Sequence, residues 1–242
     1  MDTTAVQRAL VALDYPLKKF GADGSFGAET RSAMNDFQRD NDLPVTATAD
    51  RATIAALQAA LAPRSSSPAS VVPVDWMPTA RIKRIIVHWT AGGHKASGLD
   101  RSRYHLLIDG AGELIRGVPA ISLNDARGVK TGYAAHTLNG NTGSIGVSLC
   151  CMAGAVETPF KPGTAPMTRV QWEALPAVLA ALCRRYSIPV TPRTVLSHAE
   201  VQNTLGIKQR GKWDISRLAF DHSVVGAKAC GDQFRASAAR LI

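Results

Sequence analysis

Residues 85–91 read Ile-Ile-Val-His-Trp-Thr-Ala and combine an apolar strand pattern with a histidine. The segment 81–87 is rich in β-branched side chains, which favour extended backbone. It therefore predicts a strand that ends at His88. Taken alone, a histidine in such a place is better explained by a structural role, so its meaning depends on the rest of the chain.

A second histidine and an aspartate complete a set of metal-ligating residue types. His198 follows another apolar run, and Asp214 lies further along the chain, directly after Trp213. Two imidazoles and one carboxylate suit a catalytic zinc ion, because three protein ligands leave the fourth tetrahedral position open for water. Water bound in that position ionises near neutral pH and becomes a nucleophile.

The surrounding segments predict further strands. Residues 104–108 and 113–118 flank Asp109-Gly110-Ala111-Gly112, whose glycines are typical of a hairpin turn. Residues 144–149 form another apolar, β-branched run. These segments indicate a sheet that continues on both sides of the histidine strand.

One long helix is expected to cover this sheet. Thr168 and Gln171 have the spacing of a capping box, which opens a helix that runs toward Tyr186. Pro176 lies inside it and is expected to kink the helix or to move its start. The predicted fold class for residues 79–242 is therefore α/β, a mixed central sheet flanked by helices.

The segment 1–62 has a different pattern, which predicts a small all-α domain. Three helical segments each place their anchoring residues on one face: Val6, Leu10 and Leu13; Met34, Phe37 and Gln38; Ile54, Leu57 and Leu61. Segments 27–34 and 50–57 form a faint repeat, in which Thr30 aligns with Thr53. The Pro- and Ser-rich stretch 63–78 predicts a linker, although a loop within one domain has a similar composition.

Bulk properties narrow the class of protein. The 242 residues are 45% hydrophobic and 19% charged, which is typical of a globular chain with one large or two unequal domains. No apolar stretch approaches the ~18 residues of a membrane span, so we expect no membrane insertion. The four cysteines include no CxxC pair and are expected to be buried and reduced: Cys150, Cys151, Cys183 and Cys230. We expect a monomer.

The net charge of +9 favours a polyanionic partner such as a cell-wall polymer. The basic residues are scattered without an interleaved aromatic patch, so nucleic acid is not the expected partner. The start of the chain, Met1-Asp2-Thr3-Thr4, has neither the basic residues nor the apolar core of a secretory signal. We therefore expect the protein to be kept in a cytoplasm.

A motif in the N-terminal segment is similar to a known binding module. Asp23-Gly24-x-Phe26-Gly27-x-x-Thr30, followed by Ala33-Met34 and Phe37-Gln38, resembles the three-helix peptidoglycan-binding domain of cell-wall hydrolases. The resemblance covers residues 1–62 and implies a shallow groove for glycan or peptide.

Six blocks in the second segment resemble the N-acetylmuramoyl-L-alanine amidases shared with phage endolysins. They follow one another in the family's order, which makes the match far more specific than any single block. They are residues 85–91, 104–112, 135–136, 144–147, 195–201 and 212–214. The resemblance implies a peptidoglycan recognition protein-like fold, with zinc bound by His88, His198 and Asp214.

The resemblance also implies catalytic roles. Lys212 matches a lysine that stabilises the tetrahedral intermediate, and Tyr104 matches a catalytic tyrosine of the phage lysozyme branch. Many relatives have glutamate where this chain has Ser148, which puts the proton-handling role on Tyr104. A tyrosine that only packs and hydrogen-bonds is the alternative. Four further residues are candidates for substrate contact or for support of the site: His136, Thr90, His105 and Glu200.

The implied substrate is the amide bond between N-acetylmuramic acid and L-alanine in peptidoglycan. A wall-binding domain joined to an amidase without a signal is similar to a phage endolysin, which is stored in the host cytoplasm until lysis. Two alternatives remain open, a peptidoglycan recognition module that binds without cutting and a bacterial housekeeping amidase.

Overall fold

In the computed structural model of the chain, residues 1–13, 15–41, 43–61 and 71–242 are described, and the chain separates into two compact units, Met1–Ala69 and Ser70–Ile242. The predicted mixed sheet flanked by helices and the N-terminal helical region are both confirmed. Residues 63–70 of the predicted linker lie outside the described residues. Further along it, Val72 and Met77 are buried in the core of the second unit. The boundary at residue 79 stays a prediction.

Three helices build the first unit: α1 (Thr3–Ala12), α2 (Ala28–Asp40) and α3 (Arg51–Leu61). Their shared core contains Leu10, Met34, Phe37 and Leu57. The predicted face of α3 is partly wrong, because Leu61 is 38% exposed while the polar Thr53 is buried.

The faint sequence repeat has a structural counterpart in two buried glutamines. Gln7 Nε2 donates to Thr30 Oγ1 at 3.0 Å, and Gln38 Nε2 donates to Thr53 Oγ1 at 2.9 Å. The amide oxygen of each glutamine accepts backbone N–H groups of the loop that precedes the bonded threonine. Each half of the repeat therefore uses one glutamine to hold a loop against the helix that follows it.

A five-stranded sheet forms the centre of the second unit, in the order β3-β2-β4-β1-β5. The strands are β1 (Arg84–Trp89), β2 (Leu106–Ile108), β3 (Leu114–Arg116), β4 (Ser144–Leu149) and β5 (Val195–Ser197). β1 runs parallel to both of its neighbours, β2 runs parallel to β4, and β3 closes the antiparallel hairpin with β2.

The two faces of this sheet have different roles. Successive side chains of a strand point to opposite faces. One set, with Ile85 and Val87 among its members, packs in the main core with the long helix α5 (Arg169–Tyr186) and the C-terminal helix. The other set includes His88, which pairs in register with Ser148 of β4. The first face stabilises the fold, and the second carries the polar residues of the site.

Several elements differ from the sequence prediction. Residues 98–103 form the short helix α4 (Gly98–Arg103), so Tyr104 is its C-terminal cap and not part of a strand. Helix α5 keeps its predicted capping box and continues through Pro176 without a later start. The elements after residue 197 were mostly unpredicted: α6 (His198–Leu205), β6 (Arg217–Leu218), β7 (Asp221–Val225) and α7 (Ala227–Ala239). None of the helices in the described residues has the length and apolar character needed to cross a membrane.

Candidate metal centre and active site

Two neighbouring strands and one loop bring the predicted metal ligands together. His88 lies near the carboxyl end of β1, and His198 begins α6 directly after β5. Because β1 and β5 are parallel neighbours, these two positions meet at the same edge of the sheet. Asp214 approaches from the loop before β6. Residues that are far apart in the sequence therefore form the cluster.

The three side chains form a compact triangle of donor atoms, which we call the donor triangle. His88 Nδ1 lies 3.0 Å from His198 Nδ1, and His198 Nδ1 lies 3.1 Å from Asp214 Oδ2. The third edge, from His88 Nδ1 to Asp214 Oδ2, is 3.5 Å. Ligands bound at ~2.0–2.1 Å in a tetrahedron lie ~3.3 Å apart, so the donor triangle fits one face of a zinc tetrahedron.

The surroundings of His88 and Asp214 favour the charge states in which these side chains bind metals. The loss of solvent around His88 lowers its pKa to about 4, although Asp214 opposes this shift. Burial raises the pKa of Asp214, but the close contacts with the imidazoles of His198 and His88 outweigh it and bring that pKa well below its ordinary value. The arrangement thus favours a neutral imidazole beside an ionised carboxylate, the forms in which both side chains bind metals.

A second layer of polar groups holds the two imidazoles from behind. His88 Nε2 lies 3.1 Å from His136 Nδ1, and His198 Nε2 lies 2.8 Å from Gln209 Oε1. The His136 ring packs directly on Gly146 of β4, where a Cβ atom would come within 2.6 Å of His136 Cγ. Only glycine at this position lets the ring approach the sheet closely enough to reach His88.

The donor triangle lies at an open cavity of about 770 Å³. His198 and Asp214 contribute to its wall, and so do four predicted residues, Thr90, Tyr104, His136 and Lys212. Lys212 is exposed, and its positive charge helps to lower the pKa of His88. A molecule bound in this cavity could therefore contact the Lys212 ammonium group, the Tyr104 hydroxyl group and the metal-ligating residues.

Tyr104 packs its ring against His88, with 5.1 Å between the ring centroids. Burial, and then the nearby charge of Asp214, raise the pKa of the tyrosine. Ser148 is close enough to oppose this rise, yet its hydroxyl meets hydrogen-bond geometry with none of the described residues. At this position of β4 the chain thus buries a small hydroxyl group that has no hydrogen-bond partner among the described residues.

Besides the fully buried His88, two predicted residues lie outside the cavity wall. His105 Nε2 pairs with Asn124 Oδ1 at 3.0 Å and its Nδ1 accepts from Gly146 N, so it supports the sheet behind His136. Glu200 forms a buried ion pair with Arg235 of α7 at 2.8 Å. Its carboxylate also accepts from Ser197 N–H, immediately before His198. Both residues are buried and do not line the cavity.

Sequence reasoning missed two residues of this network. Arg235 lies in the unpredicted helix α7, and no motif marked it. Gln209 lies between His198 and Asp214 in the chain, in a stretch without a periodic pattern. Both are buried polar side chains, and their partners become visible only in three dimensions.

Matches to two protein families support the same interpretation. Residues 78–216 match the profile of the N-acetylmuramoyl-L-alanine amidase family, and residues 2–57 match a "putative peptidoglycan binding domain". Among solved structures, the chain is similar to an "Endolysine N-acetylmuramoyl-L-alanine amidase LysCS from Clostridium intestinale URNW", at 16% identity and a TM-score of 0.36 over 58% of this chain and 85% of that chain. No curated protein matches the chain.

The matched segment spans more than half of the chain and contains the whole donor triangle. The chain therefore belongs to the N-acetylmuramoyl-L-alanine amidase family. It is a peptidoglycan amidase with an N-terminal peptidoglycan-binding domain.

Proposed function

We propose that the protein is a zinc-dependent endolysin that hydrolyses the amide bond between N-acetylmuramic acid and L-alanine and thereby lyses a host cell. The observation that carries the proposal is the donor triangle of His88, His198 and Asp214, with edges of 3.0, 3.1 and 3.5 Å. Its nitrogen and oxygen donors suit zinc and leave the fourth tetrahedral position free. Two corners of the donor triangle, His198 and Asp214, line a cavity large enough for a substrate segment.

When bound, zinc supplies Lewis acidity, which polarises the scissile carbonyl and lowers the pKa of water. In this proposal the Lys212 ammonium stabilises the negative charge that develops on the carbonyl oxygen. The Tyr104 hydroxyl donates its own proton to the departing amide nitrogen and accepts one from the attacking water. The carbon–nitrogen bond then breaks, which leaves a carboxylate on the lactyl group and an amine on L-alanine.

Other side chains keep this arrangement in place. His136 holds His88 from behind, and the Thr90 hydroxyl accepts from Gly92 N–H at 3.1 Å in the turn that borders the cavity. His105 and Glu200 brace the sheet and the start of α6, respectively. We assign these four residues positioning roles.

The biological part of the proposal concerns intact cell walls. A wall-binding domain raises the local concentration of an insoluble substrate around the enzyme, which soluble wall fragments do not require. The charge of +9 favours the same anionic polymer. These features favour a lytic role over the recycling of fragments. We propose a protein kept in the host cytoplasm and released to the wall at lysis.

Mass spectrometry of purified peptidoglycan digested by the protein tests the proposal directly. We expect new free amino termini on L-alanine and intact glycan chains, together with about one zinc ion per chain. A recognition module would bind the wall without releasing peptides. Products cut within the glycan or between peptide residues would contradict the assigned reaction, and full turnover in a zinc-free preparation would contradict the metal.

The biological role is tested by lysis from within. Expression together with a membrane-permeabilising agent should lyse bacteria, and expression of the His88→Ala variant should not. Slow shedding of wall fragments without lysis would favour a housekeeping amidase.

A further inference from the structure

Gln209, which no motif marks, accepts a hydrogen bond from the side of the His198 ring that faces away from the donor triangle. Gln209 is buried, and its Oε1 lies 2.8 Å from His198 Nε2. This contact leaves the opposite ring nitrogen, Nδ1, as the atom that faces Asp214 and His88.

The orientation of the Gln209 amide is determined by its other partners. Its Nε2 group donates to Leu138 O at 2.9 Å and to Ile207 O at 3.2 Å. A carbonyl oxygen accepts hydrogen bonds and cannot donate, so the nitrogen of the amide must face these two carbonyls. The amide oxygen must then face His198.

This orientation determines which ring nitrogen of His198 carries the proton. An amide oxygen only accepts, so the hydrogen bond from His198 requires a proton on Nε2. In the neutral ring, Nδ1 is then unprotonated, and its lone pair points into the donor triangle.

Without this restraint a competing state is available. Nδ1 of His198 lies 3.1 Å from Asp214 Oδ2, which is a good distance for an Nδ1–H donor. In that tautomer Nδ1 carries a proton that it donates to the aspartate, so the lone pair of Nδ1 is lost to a metal ion. Any group that holds the proton on Nε2 therefore favours the metal-binding form.

We propose that Gln209 is a positioning residue that holds His198 in the Nε2–H tautomer, so that Nδ1 faces the metal. The inference rests on the proposed zinc-dependent function. Gln209 lies in the loop after α6 and donates to Leu138 O, and both residues line the cavity. A change in the packing of this wall should therefore also change the affinity for the metal.

The test measures the affinity of the full-length, metal-free protein for Zn²⁺ by competition with a chromophoric chelator. Gln209→Met keeps the approximate volume but removes the acceptor, and it should weaken zinc binding by ~10–100-fold, as the loss of such outer partners typically does. Gln209→Glu keeps an acceptor oxygen while losing both donors to the carbonyls, and it should stay closer to the wild-type affinity.

Gln202→Leu is the matched control for loop bracing. Gln202 is exposed, and its Oε1 accepts the backbone N–H of Gln209 at 3.0 Å, a contact that leaves the Gln209 amide beside His198 unchanged. This variant should bind zinc as tightly as the wild type. An equal loss in Gln202→Leu and Gln209→Met would show that loop packing alone matters, and would overturn the inference.

A second readout does not depend on the variants. Two-bond ¹⁵N–¹H correlations of His198 in the metal-free wild type should show the proton on Nε2. A proton on Nδ1, or unchanged zinc affinity in Gln209→Met, would overturn the inference while leaving the zinc-dependent reaction intact. A wild-type protein that binds no zinc would instead overturn the proposed function.

Discussion

Buried polar side chains are used in two different ways in the two units of this protein. In the first unit, Gln38 donates to Thr53 Oγ1 and accepts from two backbone N–H groups, at Thr46 and Ala47. The amide nitrogen and the amide oxygen of Gln38 thus both have partners within the same unit. In the second unit, the two ring nitrogens and the carboxylate oxygen of the donor triangle lie within 3.5 Å of one another.

The difference separates a structural polar group from a binding site. A buried amide whose partners all lie in its own fold lowers the cost of burial and fixes a loop. Two imidazole nitrogens and a carboxylate oxygen that converge on one point form instead a set of ligands suited to a cation. The partners of each side chain, more than its burial, therefore distinguish the two uses.

The largest effect is expected from removing one corner of the donor triangle. His88→Ala should abolish both zinc binding and amidase turnover while tryptophan fluorescence still reports a folded second unit. The control is His222→Ala, which changes an exposed histidine of the same unit. Retained zinc and turnover in His88→Ala would mean that the cluster is structural, like the glutamines of the first unit.

The next effect separates chemistry from metal binding within the cavity. Tyr104→Phe keeps the ring packed on His88, so zinc content and stability should change little, while kcat should fall by the ~10²–10⁴ typical of a lost acid–base group. The matched control, Tyr133→Phe, removes a different hydroxyl from the same cavity wall. Near-normal kcat in Tyr104→Phe would assign the tyrosine a packing role.

Lys212→Ala tests the remaining predicted catalytic group. The loss of oxyanion stabilisation should lower kcat by ~10²–10³, with zinc still bound. A change in KM alone would indicate substrate binding without stabilisation of the transition state.

A smaller effect, on stability, is expected in the first unit. Gln38→Leu leaves the N–H groups of Thr46 and Ala47 without their acceptor. Thr46 is exposed, so water can bind its N–H group, and the main cost is that of one partly buried group at Ala47. The free energy of unfolding of this unit should fall by about 1–3 kcal/mol. The matched control is Gln58→Leu, at an exposed position of α3.

Two spectroscopic signals distinguish the units in that experiment. All four tryptophans lie in the second unit, at Trp76, Trp89, Trp172 and Trp213, so their fluorescence in urea reports that unit. Far-UV circular dichroism also reports the helices of the first unit. A shift of the tryptophan transition as large as that of the helical signal would contradict a local role for Gln38.

The smallest effect concerns targeting. A chain that begins at Val71 keeps Val72 and Met77, which are buried in the core of the second unit. It should cleave soluble muropeptides as the full chain does but digest intact sacculi about tenfold more slowly, because tethering is lost. Equal rates on sacculi would remove the targeting role from the first unit.

Local patterns explain the parts of the fold that could be predicted. The β-branched run of β1, the hairpin at residues 109–112 and the capping box of Thr168 and Gln171 depend on neighbours close in the chain. Helix α4 was missed because residues 98–103 are polar and too few to show periodicity. The same holds for the short strands β6 and β7.

The candidate metal-ligating and catalytic residues could be predicted from the sequence, and the residues that support them could not. The metal-ligand types and Lys212 follow from residue chemistry and from the family motif. The supporting layer does not, because Gln209 and Arg235 acquire meaning only through partners brought close by the fold. Glu200 illustrates the limit of sequence-based prediction. The sequence made it a candidate site residue, and the structure shows that it pairs with Arg235 of α7 and binds the backbone at the start of α6.

The amino-acid sequence by itself determined the two domain types, the α/β class, and the candidates His88, His198 and Asp214, since these follow from local patterns and residue chemistry. Only the tertiary structure decided that the three donor atoms meet within 3.5 Å, that Ser148 is buried without a partner among the described residues, and that Gln209 Oε1 lies 2.8 Å from His198 Nε2. Distances and hydrogen-bond directions between distant segments arise from packing, and no local pattern encodes them.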